Sequence, residues 1–276
     1  MQESRRTPRV LAIAGSDSGG GAGIQADLKA LARCGVHGMT AITAITAQNT
    51  RAVSAVTPVA PDVIVAQVRA VAEDIGVDAV KIGMLGDEPT ILAVQEALAL
   101  LPASTPVVLD PVMVAESGAA LLEPAAARAL VERLLPRATV ATPNLAEAAA
   151  LAGSEPDADV EALARAVQGL GPGAVVVTGG HREDATDVFY DGQRLEAIPG
   201  ERFPDGASHG SGCTHSSALA AHLALGLPPL DAARRAREIA GEAVRRGLRD
   251  VGGGAGPVDA LGIEAVRVVG AAGPLS

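Results

Sequence analysis

An α/β fold is predicted, with a central, mostly parallel sheet, helices on both faces and a small β-hairpin near 185–200. Three observations predict it. Apolar runs of strand length alternate with helix-period segments almost to the C-terminus. Those runs are apolar throughout rather than alternating, as expected of strands covered by helices on each side. The chain of 276 residues holds no repeat and no Pro/Gly/Ser linker long enough to divide it, and this length suits a single α/β core. Residues 1–276 therefore read as one domain, with irregular termini over 1–8 and about 251–276.

The strands fall at about 9–14 (RVLAIA), 39–46 (MTAITAIT), 79–83 (AVKIG), 106–110 (PVVLD), 138–141 (ATVA) and 174–178 (AVVVT). Helical patterns lie near 22–34, 61–75, 89–101, 124–135, 144–152 and 158–169. The stretch 185–200 breaks this rhythm, because Asp191-Gly192 between two short β-prone runs signals a hairpin. Two long helices follow the loop 204–212, at about 213–226 and 229–248. In such a sheet, ligands bind beyond the carboxyl ends of the strands. The loops to read are those after Ala14, Thr46, Gly83, Asp110, Ala141 and Thr178, with the turn at 210–212.

Composition removes several functions. The formal charge is −10 and the only aromatics are Phe189, Tyr190 and Phe203. Neither a base-stacking platform nor a phosphate-tracking surface follows from that, so no nucleic-acid partner is expected. No run of about 18 apolar residues exists to span a membrane. The basic start is followed only by Val10–Ala14, shorter than the roughly 7–15 apolar residues of a signal peptide. Two cysteines, Cys34 and Cys213, make no disulfide framework and fit a reducing, cytoplasmic location. Cys34 ends an apolar helical pattern and reads as a buried small residue.

Two glycine-rich turns carry the chemistry. Residues 15–23 (GSDSGGGAG) follow the first strand and open a helix. A dinucleotide fingerprint there would need an acid about 20 positions further on, and no Asp or Glu occurs between Leu28 and Pro61. The Walker loop pattern, Gly-x-x-x-x-Gly-Lys followed by Ser or Thr, is also missing. What remains is a loop of free backbone N–H groups suited to closing over a polar ligand. Asp27 either accepts from ligand donors or simply complements the helix dipole. The second turn is His209-Gly210-Ser211-Gly212-Cys213-Thr214. Converging N–H groups and a helix N-terminus make an anion hole of Gly210, Ser211 and Gly212. The same field is expected to lower the Cys213 pKa, fitting it to take a proton from a hydroxyl that attacks phosphorus. Inert packing of Cys213 is an equal reading of Gly-x-Gly-Cys alone. His209, Cys213 and His215 match no common zinc spacing; His215 and His222 read as helix-face residues.

Seven segments, in order, make a resemblance. They are 15–29 (GSDSGGGAGIQADLK), 46–50 (TAQNT), 80–86 (VKIGMLG), 109–115 (LDPVMVA), Thr-Pro-Asn-Leu-x-Glu (142–147), 177–181 (VTGGH) and 209–218 (HGSGCTHSSA). Together they resemble the hydroxymethylpyrimidine/phosphomethylpyrimidine kinases of thiamine biosynthesis, a branch of the ribokinase-like superfamily. The resemblance implies ATP and Mg²⁺ as cofactors, a ribokinase-like fold, and stepwise phosphorylation of 4-amino-5-hydroxymethyl-2-methylpyrimidine and its monophosphate. It puts Gly15, Asp27, Gln48, Met84 and Val112 around the pyrimidine, and makes Cys213 the general base. Thr178, Gly179, Gly180 and His181 would meet ATP, with Asp110 and Glu147 near Mg²⁺. From spacing alone, Asn144 and Glu147 read as a helix capping box. Family habit also implies a homodimer.

The sequence departs from that family in places. Glu116-Ser117-Gly118 stands where the family commonly has Lys-Ser-Gly, reversing a charge that matters for an already anionic second substrate. The loop 204–209 lacks the usual Asn-Thr before His-Gly, and His215 replaces a typical Leu, which reads as a packing change. Pyridoxal or pyridoxine kinase is the nearest alternative, and a non-catalytic nucleotide or vitamin sensor the alternative from another class.

Overall fold

A computed structural model describes residues 6–116, 118–155, 158–180, 185–204 and 207–263. Strand β1 (Arg9–Ala14) leads to helix α1 (Gly23–Arg33) and β2 (His37–Ile42). A two-stranded excursion follows, β3 (Ala44–Gln48) and β4 (Val53–Pro58), then α2 (Pro61–Asp74), β5 (Ala79–Ile82) and α3 (Glu88–Leu98). The chain continues through β6 (Val107–Leu109), α4 (Pro124–Ala129), β7 (Val140–Ala141), α5 (Leu145–Ala152), α6 (Val160–Gln168) and β8 (Ala174–Val177). The hairpin β9 (Asp187–Tyr190) and β10 (Leu195–Ile198) and the helices α7 (Ser211–Ala224) and α8 (Pro229–Arg245) complete it.

The main sheet runs β10-β9-β8-β7-β6-β5-β1-β2. Strands β2, β1, β5, β6, β7 and β8 are parallel, and β9 and β10 add antiparallel at one edge. The continuous apolar strands have the cause expected of them. Leu11, Val107, Leu109 and Val175 point into one core with Ile64 of α2, Ile91 of α3 and Leu163 of α6. Their neighbours Val10, Val108 and Val176 point to the other face, against Leu31 of α1, Leu219 of α7 and Ala236 of α8. Successive strand side chains alternate between faces, so a strand buried on both sides is apolar on both, Lys81 in β5 being buried against an ionic partner, Asp27.

Two expectations are corrected. The run 39–46 is not one strand: β2 ends at Ile42, and β3 turns away to pair with β4 in a separate antiparallel ribbon. Thr43 makes the break, its N–H donating to Ala14 O and its hydroxyl to Met84 O. Strand β1 ends at Ala14, and beyond it the first turn meets β3 through the Ser16 N–H on Ala44 O at 2.9 Å. β4 shows no buried alternation, its side chains being largely exposed, and no pattern marked it. The helix expected over 124–135 stops being α-helical at Ala129, passing through a π turn at Leu130–Leu134 into a 3₁₀ turn at Leu135–Arg137. Pro136 has no N–H to continue an α ladder.

Chain order places β2 on one side of β1 and β5 on the other. The connections thus reverse direction beside β1, and a crevice opens at the carboxyl ends of β1 and β5.

Candidate active site

A cleft of about 400 Å³ lies in that crevice. Gly15, Gln48, Met84 and Val112 line one part of it, Gly210, Ser211, Gly212 and Cys213 another, and Asp110, Glu147, Thr178 and Gly180 a third. Loops far apart in sequence thus meet as the strand-end rule requires. A Cβ at Gly15 would fall 2.8 Å from Met84 Sδ, so a larger residue there would push the Met84 side chain aside. Gln48 ends β3, its Oε1 accepting from Thr46 Oγ1 at 3.3 Å, and its backbone is tied to the first turn through Ser18.

Asp17 ties the first glycine turn to the second. Its carboxylate accepts from the N–H groups of Gly19, Gly21 and Ala22, and His209 Nε2 stands 3.0 Å from Oδ2. Burial opposes its ionisation, but His209 and these N–H groups hold the carboxyl below its usual range. The acid in the first turn therefore shapes the loop. Immediately after His209, Gly210 takes φ +85°, and a Cβ on it would lie 1.8 Å from Gly21 O. Only glycine permits the two turns to touch here.

Asp27, expected beside the pyrimidine, is not in the cleft lining. It is fully buried beneath the floor, where Oδ1 accepts from Lys81 Nζ at 2.7 Å and from Ser217 Oγ at 2.9 Å. A lysine inside an apolar strand must have an anionic partner, and Asp27 is that partner. Burial alone would favour neutral Lys81, yet the Asp27 carboxylate beside it raises its pKa and keeps it charged.

Cys213 stands third in α7, which begins at Ser211 rather than at the cysteine. It is half-buried. The expected lowering of its pKa is reversed: burial pushes the thiol up to about 12, and Asp27 and Asp110 add to the rise. Lys81 and the Gly23 N–H pull the other way without prevailing. Cys34, at the end of α1, is also pushed up by burial, to about 11, as befits an unreactive thiol.

Asp110 and Glu147 form a paired-carboxylate region. Ser216 Oγ donates to Asp110 Oδ2 at 3.0 Å. Burial raises the Asp110 pKa against the opposing effect of Lys81. Glu147 reaches about 8, first through burial and then through repulsion by Asp110. The capping box read from spacing is present too: Asn144 Oδ1 accepts from the Glu147 N–H, and Glu147 Oε2 from the Asn144 N–H, both at 2.9 Å. One glutamate caps α5 and faces the cleft. Among the described residues no group of three or more His, Cys, Asp or Glu gathers as a metal cage.

A family model described as phosphomethylpyrimidine kinase matches residues 17–259. The chain belongs to the phosphomethylpyrimidine kinase family. It is a kinase, with the α/β, ribokinase-like architecture of that group. The hydroxymethylpyrimidine/phosphomethylpyrimidine kinase of Rhizobium meliloti is 48% identical over 91% of this chain and 96% of its own. A Staphylococcus aureus pyridoxal kinase solved with AMP-PCP and pyridoxal superposes with a TM-score of 0.84 at 36% identity, covering 93% of this chain and 94% of the other. A Clostridium difficile phosphomethylpyrimidine kinase gives a TM-score of 0.74 at 39% identity, covering 86% and 99%.

At the other end of this family member's cleft, Thr178 and Gly180 line the wall while Gly179 lies behind it. Gly179 is packed so closely that a Cβ would lie 1.9 Å from Thr186 O. His181 lies outside the described residues. Sequence reasoning missed Asp187, a fully buried acid that accepts from the Gly179 N–H at 2.7 Å. The hairpin signal explained Asp191-Gly192 and drew attention away from the strand's first residue. His215 does more than repack, since its Nε2 stands 3.3 Å from Asp187 Oδ2. His222 sits on a helix face, bonded to Ala218 O.

Proposed function

We propose that this kinase transfers phosphate from ATP to the hydroxymethyl group of 4-amino-5-hydroxymethyl-2-methylpyrimidine, then phosphorylates the monophosphate to the diphosphate, for thiamine biosynthesis. One observation carries the reading: a wall of Gly15, Gln48, Met84 and Val112 faces the same cleft as the Gly210–Cys213 turn. A flat, amino-substituted ring suits that wall. The Gln48 amide both donates and accepts, and the Met84 thioether adapts to an aromatic face. The family relatives named above support the substrate class.

Transfer is in line. The pyrimidine hydroxyl faces Cys213, and the Gly212 and Cys213 N–H groups, which have no acceptor within the helix, stabilise the equatorial oxygens of the moving phosphoryl group, whereas the Ser211 N–H already donates to Ser208 O at 3.0 Å. In its thiolate form Cys213 takes the hydroxyl proton and becomes the neutral thiol. Lys81 and the Gly23 N–H are the groups that favour its thiolate, and Asp110 is one that opposes it. ATP lies along Thr178 and Gly180, with Gly179 backing them.

Asp110 and Glu147 suit Mg²⁺, because two crowded carboxylates, one of them pushed to about 8, need a cation. Mg²⁺ binds through one or two carboxylates plus phosphates and waters. Bound there, it would neutralise charge on the transferred group.

We further propose one domain over residues 1–276, a cytoplasmic location and a homodimer. Among the described residues no helix is long and apolar enough to cross a membrane. The β3–β4 ribbon exposes Ile45 on one face and Val56 on the other, apolar side chains that dimerisation would cover. Equilibrium sedimentation tests the dimer.

The deciding experiment offers the purified protein ATP, Mg²⁺ and, separately, hydroxymethylpyrimidine, its monophosphate or pyridoxal, and resolves the products by mass. Formation of the monophosphate and then the diphosphate supports the reading. The likeness to pyridoxal kinases makes pyridoxal the second candidate, and turnover with pyridoxal alone would replace the pyrimidine.

A further inference from the structure

The wall beyond the transfer centre holds three side chains that the proposed mechanism leaves unused: Asp187, His215 and Arg237. Asp187 opens β9 and is fully buried. Its Oδ1 accepts from the Gly179 N–H at 2.7 Å, and Arg237 Nη1 lies 3.9 Å from the same oxygen. Arg237, from α8, is directed elsewhere, donating through Nη2 to Ala185 O at 2.5 Å. The other oxygen, Oδ2, faces His215 Nε2 at 3.3 Å. His215 stands on α7 two residues beyond Cys213, its side chain 4% exposed, and neither ring nitrogen forms a well-aligned hydrogen bond among the described residues. Burying an imidazole without full compensation is costly, so its use here calls for a cause beyond packing.

We propose that His215 is a positioning residue: through Asp187 it fixes the Thr178–Gly180 loop and couples that loop to the helix carrying Cys213. The two side chains stand in close contact, His215 Nε2 being 3.3 Å from Asp187 Oδ2. Helix α7 is anchored independently, by Ser216 Oγ on Asp110 and Ser217 Oγ on Asp27. His215 thus has a fixed base from which to hold Asp187 Oδ2. Oδ2 faces the imidazole at 3.3 Å without an aligned hydrogen bond, while Oδ1 accepts from the Gly179 N–H, and Gly179 packs so close to Thr186 that a Cβ would lie 1.9 Å from its O. A distortion at Asp187 therefore passes directly to the loop. The functional part of the inference rests on the reading of Thr178–Gly180 as the ATP end of the cleft. The mechanical part does not.

The test compares His215→Leu, His215→Gln and Asp187→Asn with the parent chain. Amide hydrogen exchange is followed over residues 174–180 of the free protein, and KM is measured for ATP and for hydroxymethylpyrimidine. Gln can present a donor near the position of Nε2, whereas Leu cannot. His215→Leu should speed exchange at Gly179 about tenfold, by freeing a locally held amide. It should raise KM for ATP about fivefold while KM for the pyrimidine stays within about twofold. His215→Gln should restore most of both. Unchanged exchange at Gly179 in the Leu variant overturns the proposal, as does a parallel rise of both KM values or a Gln variant no better than Leu. If the Leu variant does not fold, Asp187→Asn decides by the same exchange readout, with unchanged exchange counting against the proposal. Absence of any ATP-dependent turnover by the parent chain would remove the kinase reading and leave the exchange result to judge the His215–Asp187 link.

Discussion

Lys81 Nζ lies 2.7 Å from Asp27 Oδ1, and neither side chain has any contact with solvent. The pair sits under the cleft floor between β5 and α1, with Ser217 of α7 as a second donor to the same oxygen. Removing one member of such a pair strands a buried charge and typically costs about 3–5 kcal/mol, whereas replacing both by apolar residues is often neutral. Lys81→Met should therefore destabilise the protein by about that amount in urea unfolding. The double variant Lys81→Met/Asp27→Leu should recover most of the loss. Additive losses would show that the two charges are stabilised separately.

Cys213 yields a prediction about reactivity as well as turnover. A thiol pushed up to about 12 carries little thiolate at neutral pH. Alkylation of the ligand-free protein at Cys213 should be slow, and should accelerate about tenfold per pH unit between pH 7 and 10 without levelling off. A plateau near pH 7 would mean that the thiolate is already formed. Cys213→Ala should lower kcat about 10²–10⁴-fold, the usual range for a lost general base, with a much smaller change in pyrimidine KM. Equal losses in both would refute the assignment.

Glu147 ties stability to pH in the metal-free protein. Its folded-state pKa, about 8, exceeds the ordinary carboxyl value. The native state therefore binds a proton that the unfolded chain releases. Its contribution is fully present below the ordinary glutamate range and falls as pH rises to about 8, by at most about 1.4 kcal/mol per unit. Thermal unfolding in chelator should show this decline, and Glu147→Gln should flatten it. A decline of the same size in the Gln variant would assign it to other groups.

Most of the sheet was legible because its cause is local: a strand buried on both faces favours apolar residues at every position, as in Val10–Ala14 and Ala174–Val177. The β3–β4 ribbon was not legible. Thr43 interrupts an unbroken β-prone run by contacts to Ala14 and Met84, which are remote in sequence. At the site, glycine turns and strand-end residues were readable because short motifs carry their own geometry. Asp27 was misplaced because its partner is 54 residues away, although a lysine in AVKIG was the available signal. The Cys213 pKa was misjudged for a similar reason. A helix N-terminus can be seen in sequence, but burial among Lys81, Asp27 and Asp110 is set by the fold.

Glu116 sets the last expectation. It lines the cleft from an exposed position, and its Oε1 accepts from Ser208 Oγ at 2.9 Å, across from the loop before the second glycine turn. The first pyrimidine substrate is neutral and the second carries a phosphate, so a carboxylate here acts on one of them selectively. In a solvated setting a like-charge contact at about 4 Å is worth about 1 kcal/mol, roughly fivefold in rate. Glu116→Gln should raise kcat/KM for the monophosphate by about that factor and Glu116→Lys by more, leaving the neutral substrate within about twofold. Since the group is exposed, the gain should shrink as salt rises from about 0.05 to 0.5 M. Should both substrates respond alike, Glu116 acts through its bond to Ser208 and the shape of the cleft mouth, and its charge plays no part in choosing between them.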